Sequence, residues 1–264
     1  MTSAAVELQG HRGAGNHAPH NTLEAFRWAA EHHLHSVEYD IMCLGDGTLV
    51  VTHGPEVGVD SGIAKQDIGE MSLGEFTELV EKAGHPPVPL LSEVVDACRE
   101  GGLVMNAELK SNAPKMVSGV LACLEKGGML ERTRFSSFHR EMLVAVVEAA
   151  RGKPALEQVP LCALYNPAVG QDGDKVIRAE TPGDFATWLR EAAGRELFSV
   201  NLCAACVTAE EVKAAREAGV GVMVWYPLGV DSEDSFRQML DLGVDTICVN
   251  DVELYKQVAA GKSG

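Results

Sequence analysis

The sequence predicts the α/β class and a single (β/α)8 barrel spanning residues 1 to 264, on three observations. Eight short apolar runs rich in Val, Ile, Leu or Phe recur along the chain, as strands buried on both faces of a parallel sheet do. Helix start and stop signals fall between them, so strands and helices alternate. The 264 residues are close to the roughly 250 at which such barrels occur as one domain. With 46% hydrophobic and 23% charged residues, the composition fills a large core and excludes general disorder.

The strand candidates, in order, are VELQGH (6 to 11), SVEYDIM (36 to 42), LVMNAEL (103 to 109), RTRFSSF (132 to 138), LCALY (161 to 165), LFSVNL (197 to 202), VMVWY (222 to 226) and DTICVN (245 to 250). Between them, Asn21 followed by Glu24, Ser72 by Glu75 and Thr208 by Glu211 resemble capping boxes or an Asn variant of one. Thr181-Pro182 places a cap before a first-turn proline, and Gly219 and Gly243 stand where helices should stop.

LVVTHG (49 to 54) is also strand-like, but it follows SVEYDIM across only the turn around Gly45-Asp46-Gly47. So short a connection forces antiparallel pairing, which makes this a hairpin extension of the second strand and brings His53 back to the level of Glu38 and Asp40. Residues 54 to 90 then form an insertion, with one helix from Ser72 to about Ala83 and a return through Pro86, Pro87 and Pro89. It is too short for a core of its own and reads as a lid or side wall.

A formal charge of -16 argues against nucleic acid and anionic membrane surfaces as partners, because the long-range field repels both. No run approaches the roughly 20 apolar residues of a membrane helix, and MTSAAVELQG lacks the features of a secretion signal, which predicts a cytoplasmic location. The seven cysteines are scattered and mostly within apolar runs, as reduced, buried thiols are; the isolated pair Cys203 and Cys206 has no second pair to complete a metal site.

Four strand-like segments end in titratable residues where a structural strand would stay apolar: His11 and Arg12, Glu38 and Asp40, His53, and Glu108 and Lys110. Residues two apart on an extended chain share a side, so the barrel gathers three carboxylates, two imidazoles and two cations at its carboxyl end. Three converging carboxylates repel, so at least one needs a raised pKa or a cation; a hard divalent ion resolves this, and oxygen-only ligands select Mg²⁺ or Ca²⁺ over zinc. The imidazoles suit acid-base work, and Arg12 and Lys110 suit the oxygens of a phosphoryl group. Singly each pair reads as a salt bridge; jointly they read as a phosphoester-cleaving site.

The segments GHRGAGNHAPHNTLEAF (10 to 26), VEYDIMCLGDGTLVVTHG (37 to 54), AELK (107 to 110), SSF (136 to 138), VMVWY (222 to 226) and GVDTICVND (243 to 251) together resemble the glycerophosphodiester phosphodiesterases. The resemblance implies metal-dependent hydrolysis of a small-molecule glycerophosphodiester to glycerol 3-phosphate and an alcohol. It implies a divalent metal on Glu38, Asp40 and Glu108, His11 and His53 as the acid-base pair, phosphate on Arg12 and Lys110, and Trp225 lining the glycerol pocket. Asn21, read above as a cap, gains a contact near the metal and substrate. The nucleophile is either water or the substrate's own 2-hydroxyl, the latter giving a cyclic phosphate that water opens.

The chain departs from the family pattern at His20 of Pro19-His20-Asn21-Thr22, at Gly54 after His53, and at Tyr226-Pro227-Leu228 after Trp225, none of which deletes a ligand. A phospholipase D-like relative on the same barrel, or a non-catalytic phosphate-binding protein, are the alternatives. His32, His33 and His35 read as a solvated helix end, His17 and His20 as loop residues on the catalytic side, and Ser136, Phe138 and Asn201 as pocket lining.

Overall fold

In an extended strand successive side chains point to opposite faces, so a closed barrel sorts each strand into an inward row and a row facing the helices. The computed structural model describes residues 6–54, 68–110, 115–151, 160–165, 169–172, 175–178 and 197–261. In β2 (Ser36–Cys43), Val37, Tyr39 and Ile41 join the large hydrophobic cluster under the helices, whereas the intervening Glu38 and Asp40 stay out of it. That alternation is what the sequence segment SVEYDIM encodes.

Eight parallel strands close the barrel: β1 (Glu7–Gly10), β2, β4 (Val104–Leu109), β5 (Thr133–Ser137), β6 (Leu161–Tyr165), β9 (Ser199–Cys203), β10 (Gly221–Trp225) and β11 (Thr246–Val249), which pairs back onto β1. All eight predicted strands are present, with ends shifted by a residue or two. A further antiparallel pair, β7 (Val169–Asp172) with β8 (Lys175–Arg178), lies outside the barrel order and was not anticipated from the sequence.

The described helices are α1 (Leu23–Glu31), α2 (Leu73–Lys82), α3 (Leu91–Glu100), α4 (Met116–Lys126), α5 (Arg140–Ala150), α6 (Ala209–Glu217), α7 (Glu233–Leu242) and α8 (Val252–Gly261). Ser72 with Glu75 and Thr208 with Glu211 form the expected capping boxes. Gly243 ends α7 in the left-handed conformation. The expectation at Asn21 is corrected: Thr22 is the cap of α1, its hydroxyl accepting from Ala25 N at 3.2 Å, and Asn21 has a positive φ of 56° with its side chain turned elsewhere. The Thr181-Pro182 signal lies outside the described residues.

The predicted hairpin is present. β3 (Leu49–Val51) runs antiparallel to β2, and Thr52 N donates to Asp40 O at 2.9 Å, so His53 follows at the level of Asp40. The return segment runs alongside, with Val51 N donating to Pro89 O at 3.0 Å. Phe76, Leu79 and Val80 of α2 join Ile68, Leu44 and Val50 in a second, smaller apolar cluster against the hairpin. No described helix is long and apolar enough to cross a membrane, and the seven cysteines form no disulfide among the described residues.

The amino end of the barrel is crosslinked by polar side chains. Gln9 Nε2 donates to Ser36 Oγ, Asn106 Nδ2 donates to Gln9 Oε1, and Arg134 grips Glu7 through two hydrogen bonds at 2.9 and 2.8 Å. At the other end, the loop after β1 docks by its backbone: Asn16 N donates to Asn250 O at 2.7 Å, and Gly15 adopts φ +57° beside it. A side chain at Gly15 would place its first carbon 2.1 Å from that carbonyl. Gly15→Ala therefore destabilises the protein by about 2 kcal/mol or more, from strain and displaced backbone, read as a fall in Tm of roughly 4 to 8 °C. An unchanged melting curve would show that the loop is not held this way.

Candidate active site

Strand register places the charged residues. Asp40 pairs with Glu108 and Glu38 with Asn106, so the acidic residues of β2 and β4 point into one corner at the carboxyl end of the barrel. One ligand oxygen from each of Glu38, Asp40 and Glu108 lies within 4.8 Å of the others, and all three side chains are buried.

Two cations sit against this cluster. Lys110 Nζ lies 2.7 Å from Glu108 Oε1 and 3.3 Å from Asp40 Oδ1; Arg12 Nε lies 3.4 Å from Asp40 Oδ2. Asn21 Nδ2 donates to Asp40 Oδ2 at 2.8 Å, and its Oδ1 accepts from Asp40 N at 3.3 Å. Asn21 thus clamps a carboxylate instead of capping a helix.

This unequal support splits the titration. Burial works to raise Asp40, but Lys110, His53 and Arg12, with the Asn21 hydrogen bond, hold its carboxyl well below the usual range. Burial raises Glu38 well above it, reinforced by the charges of Asp40 and Glu108. Glu108 is also raised by burial, against the pull of Lys110. Burial would lower Lys110, yet Asp40 and Glu108 hold its ammonium charged.

The acidic group fits a hard cation. Glu38 accepts Arg12 N at 3.0 Å on Oε2, while its Oε1 is buried with no hydrogen-bond partner among the described residues. An all-oxygen donor set with such an orphaned atom suits Mg²⁺ or Ca²⁺, whose charge would also relieve the repulsion that raises Glu38.

His11 stands beside this corner, its Nε2 3.9 Å from Glu38 Oε2 and its Nδ1 2.6 Å from Asn250 Oδ1. Burial, and then the Arg12 charge, push the imidazole down to about 3, so it is neutral at ordinary pH. The loop that carries it coils tightly: Gly13 N donates to Glu38 O, Gly15 N to His11 O and Asn21 N to Arg12 O. Arg12 takes the left-handed φ of 51°, an irregularity typical of functional loops. His53 is half-buried and close enough to Asp40 and Glu108 to favour their charged forms.

An aromatic wall borders the site. Phe138 meets Trp225 edge to face at 6.0 Å between ring centres, and Lys110 Nζ lies 5.7 Å from the Phe138 centre. Ser136 Oγ and Trp225 Nε1 are buried without a hydrogen-bond partner among the described residues.

The structure therefore brings together His11, Arg12, Asn21, Glu38, Asp40, His53, Glu108 and Lys110, with Trp225 beside them across Phe138. The remaining expectations fare unevenly. Asn201 lies deeper in the barrel, at the level of Met223, and accepts from Ser199 Oγ at 2.9 Å. His17 is stacked on Trp28, itself stacked on His32. His20 stays at the site, its ring centre 6.3 Å from that of His11. Tyr226 points away: it is fully buried against Phe236 and its hydroxyl is paired with Ser235, so this departure lies behind the pocket wall. Gly54 takes φ +104°, a conformation in which another residue would be strained. Sequence reasoning missed Asn250 and Asp231; for Asn250 the signal available was the polar Asn250-Asp251 pair closing the apolar last strand, and for Asp231, in the loop before α7, there was none.

Comparisons with known proteins follow the same outline. Residues 11–254 match the model of the Glycerophosphoryl diester phosphodiesterase family. The chain is 25% identical to a glycerophosphodiester phosphodiesterase of Caldanaerobacter subterraneus subsp. tengcongensis, over 92% of this chain and 93% of that protein. It is similar to the solved structure of a candidate glycerophosphodiester phosphodiesterase of Galdieria sulphuraria, with 29% identity, a TM-score of 0.79 and full coverage of both chains. An Oleispira antarctica phosphodiesterase, solved in complex with the product sn-glycerol-3-phosphate, shares the fold at 18% identity and a TM-score of 0.74, over 96% of each chain.

The carboxylate geometry makes a prediction independent of turnover. With chelator present, Glu38→Gln melts no lower than wild type, because a neutral side chain replaces a carboxyl that burial and its neighbours already disfavour as an anion. Millimolar Mg²⁺ or Ca²⁺ raises the wild-type Tm, by an amount equivalent to about 2.7 kcal/mol at a hundredfold excess over Kd. The variant shows little of that rise. Calorimetry that found equal metal stabilisation in both proteins would remove Glu38 from the ligand set.

Proposed function

The chain belongs to the glycerophosphoryl diester phosphodiesterase family, and on that premise we propose that it is a phosphoric diester hydrolase releasing glycerol 3-phosphate and an alcohol from small glycerophosphodiesters. The observation that carries this reading is the convergence of three buried carboxylates, two cations and two imidazoles in one corner, in a chain that matches the family over residues 11–254. The phosphodiesterase structure with sn-glycerol-3-phosphate supports the product class.

In this reading Glu38, Asp40 and Glu108 hold a divalent ion, Mg²⁺ or Ca²⁺, which when bound supplies positive charge to phosphate oxygens and lowers the pKa of a hydroxyl or water. Arg12 and Lys110 bind the phosphate; their charges are fixed in place by Asp40 and Glu108 before substrate arrives, so little reorganisation is left for the reaction. Asn21 acts by holding Asp40. Trp225 lines the glycerol pocket beside Phe138.

His11 and His53 serve as the acid-base pair. One takes the proton of the attacking oxygen as it bonds to phosphorus; the other gives a proton to the alcohol oxygen as the phosphorus-oxygen bond breaks. The attacking oxygen is that of water or the glycerol 2-hydroxyl. The whole chain acts as one catalytic domain in which the described part of the insertion, residues 68–90, forms a side wall, supported by the packing of α2 against the hairpin that carries His53; residues 55–67 of the expected insertion lie outside the described residues.

The test is release of glycerol 3-phosphate from a panel of glycerophosphodiesters, with Mg²⁺, Ca²⁺ or chelator. Wild type releases product only with the ion, and His11→Ala and His53→Ala each lose roughly 10² to 10⁴-fold in kcat. Full activity in chelator, or in either variant, would overturn the mechanism; failure on every diester with intact metal-induced stabilisation would favour a phosphate-binding protein.

A further inference from the structure

Asn250, at the end of β11, is fully buried, and each of its polar groups is engaged. Its backbone N–H donates to Asp231 Oδ2 at 2.8 Å, and its carbonyl accepts from Asn16 N at 2.7 Å. One end of the side-chain amide faces Asp231 Oδ1 at 2.6 Å, Pro227 O at 3.1 Å and Tyr226 O at 3.2 Å. Carbonyl and carboxylate oxygens only accept, so that end must be the NH₂ group. The reverse orientation would set an oxygen against three oxygens.

The orientation of the amide decides the state of a ring across the barrel seam. The other end of the Asn250 amide is an acceptor, and it lies 2.6 Å from His11 Nδ1. A hydrogen bond there requires the proton on Nδ1. We propose that Asn250, locked by Asp231, pins His11 as its Nδ1–H tautomer and makes Nε2 the single nitrogen through which His11 exchanges protons with the reacting groups. The proposal rests on the reading of His11 as an acid-base residue. Nε2 is the atom on the Glu38 side, 3.9 Å from that carboxylate. Nδ1 keeps its proton throughout, and only the bond to the hydrogen on Nε2 forms or breaks.

Asn250 is thus a positioning residue, and Asp231 positions it in turn. Aspartate at 250 could hold Nδ1–H too, but it would set a carboxylate against Asp231 and two carbonyls. Alanine leaves the imidazole free to take either tautomer and to rotate.

The test begins with wild-type protein labelled with ¹⁵N and held in Mg²⁺ buffer. Long-range ¹H–¹⁵N spectra report each imidazole nitrogen as protonated or bare, and the His11 signals are those lost in His11→Gln. The expected spectrum has a protonated Nδ1 and a bare Nε2; the reverse pattern, or an averaged ring, overturns the proposal without any variant having to fold. In Asn250→Ala the two His11 nitrogens shift toward averaged values, and kcat falls roughly 10²-fold while KM changes little. Asp231→Ala gives a smaller fall of the same kind. A natively folded Asn250→Ala with wild-type kcat also overturns it. A wild type that shows the pinned ring and no hydrolysis of any diester defeats the functional reading, and the proton-exchange half of the proposal with it, while the tautomer assignment stands.

Discussion

Three carboxylates are buried within 4.8 Å of one another at the mouth of the barrel, and everything near them serves to keep them there. Isolated, such a cluster would take up protons or move apart, since burying a charge costs far more than burying a neutral group. The protein divides the burden unevenly. Asp40 is met by Lys110, Arg12 and both ends of the Asn21 amide, and remains an anion. Among the described residues Glu38 has a single backbone donor on one oxygen and no hydrogen-bond partner on the other, which leaves it the carboxyl most in need of a cation.

Holding these partners in place requires unusual backbone. Arg12 and Asn21 both take left-handed φ values, at opposite ends of the loop after β1, and the backbone bond from Asn21 N to Arg12 O ties them together. The same loop sends Gly13 N to Glu38 O and Asn16 N to Asn250 O, so it is stitched to β2 on one side and to β11 on the other. β1 lies between those two strands in the closed barrel, and only closure brings both seams within reach of one short loop. The hairpin solves a different problem: Asp40 O receives Thr52 N, so the turn of chain that delivers His53 also completes the edge of β2.

What the sequence revealed and concealed follows from the range of each interaction. Strand identity, the hairpin and the convergence of Glu38, Asp40 and Glu108 were legible because period-two alternation and a short turn are local facts that closure turns into a site. The capping boxes at Ser72 and Thr208 were legible for the same reason. Asn21 was misread because the residue after it caps equally well, and a left-handed φ at 21 leaves no trace in the composition. Tyr226 departs from the family pattern right after Trp225, yet one step along a strand reverses the face, and it belongs to the helix layer beside Phe236. The link from His11 to Asn250 and Asp231 was hidden because it joins the first strand to the last and to the loop before α7.

The charge of the corner also explains how so acidic a chain could accept an anion. The overall charge of -16 repels a phosphodiester at long range, so attraction must be local. Arg12 and Lys110 offset two of the three carboxylates, and that balance by itself gives no net pull on a monoanionic diester. A divalent ion on the carboxylates would reverse the sign, leaving the site with about the one positive charge that the diester neutralises. In this reading the same carboxylates that make the corner unfavourable when empty of cation make substrate binding depend on the cation, so that the groups needed for cleavage and the charge needed for binding are present together or not at all. The cations held by Asp40 and Glu108 then meet phosphate oxygens already oriented, and the pinned imidazole of His11 faces them from the seam between the first and last strands.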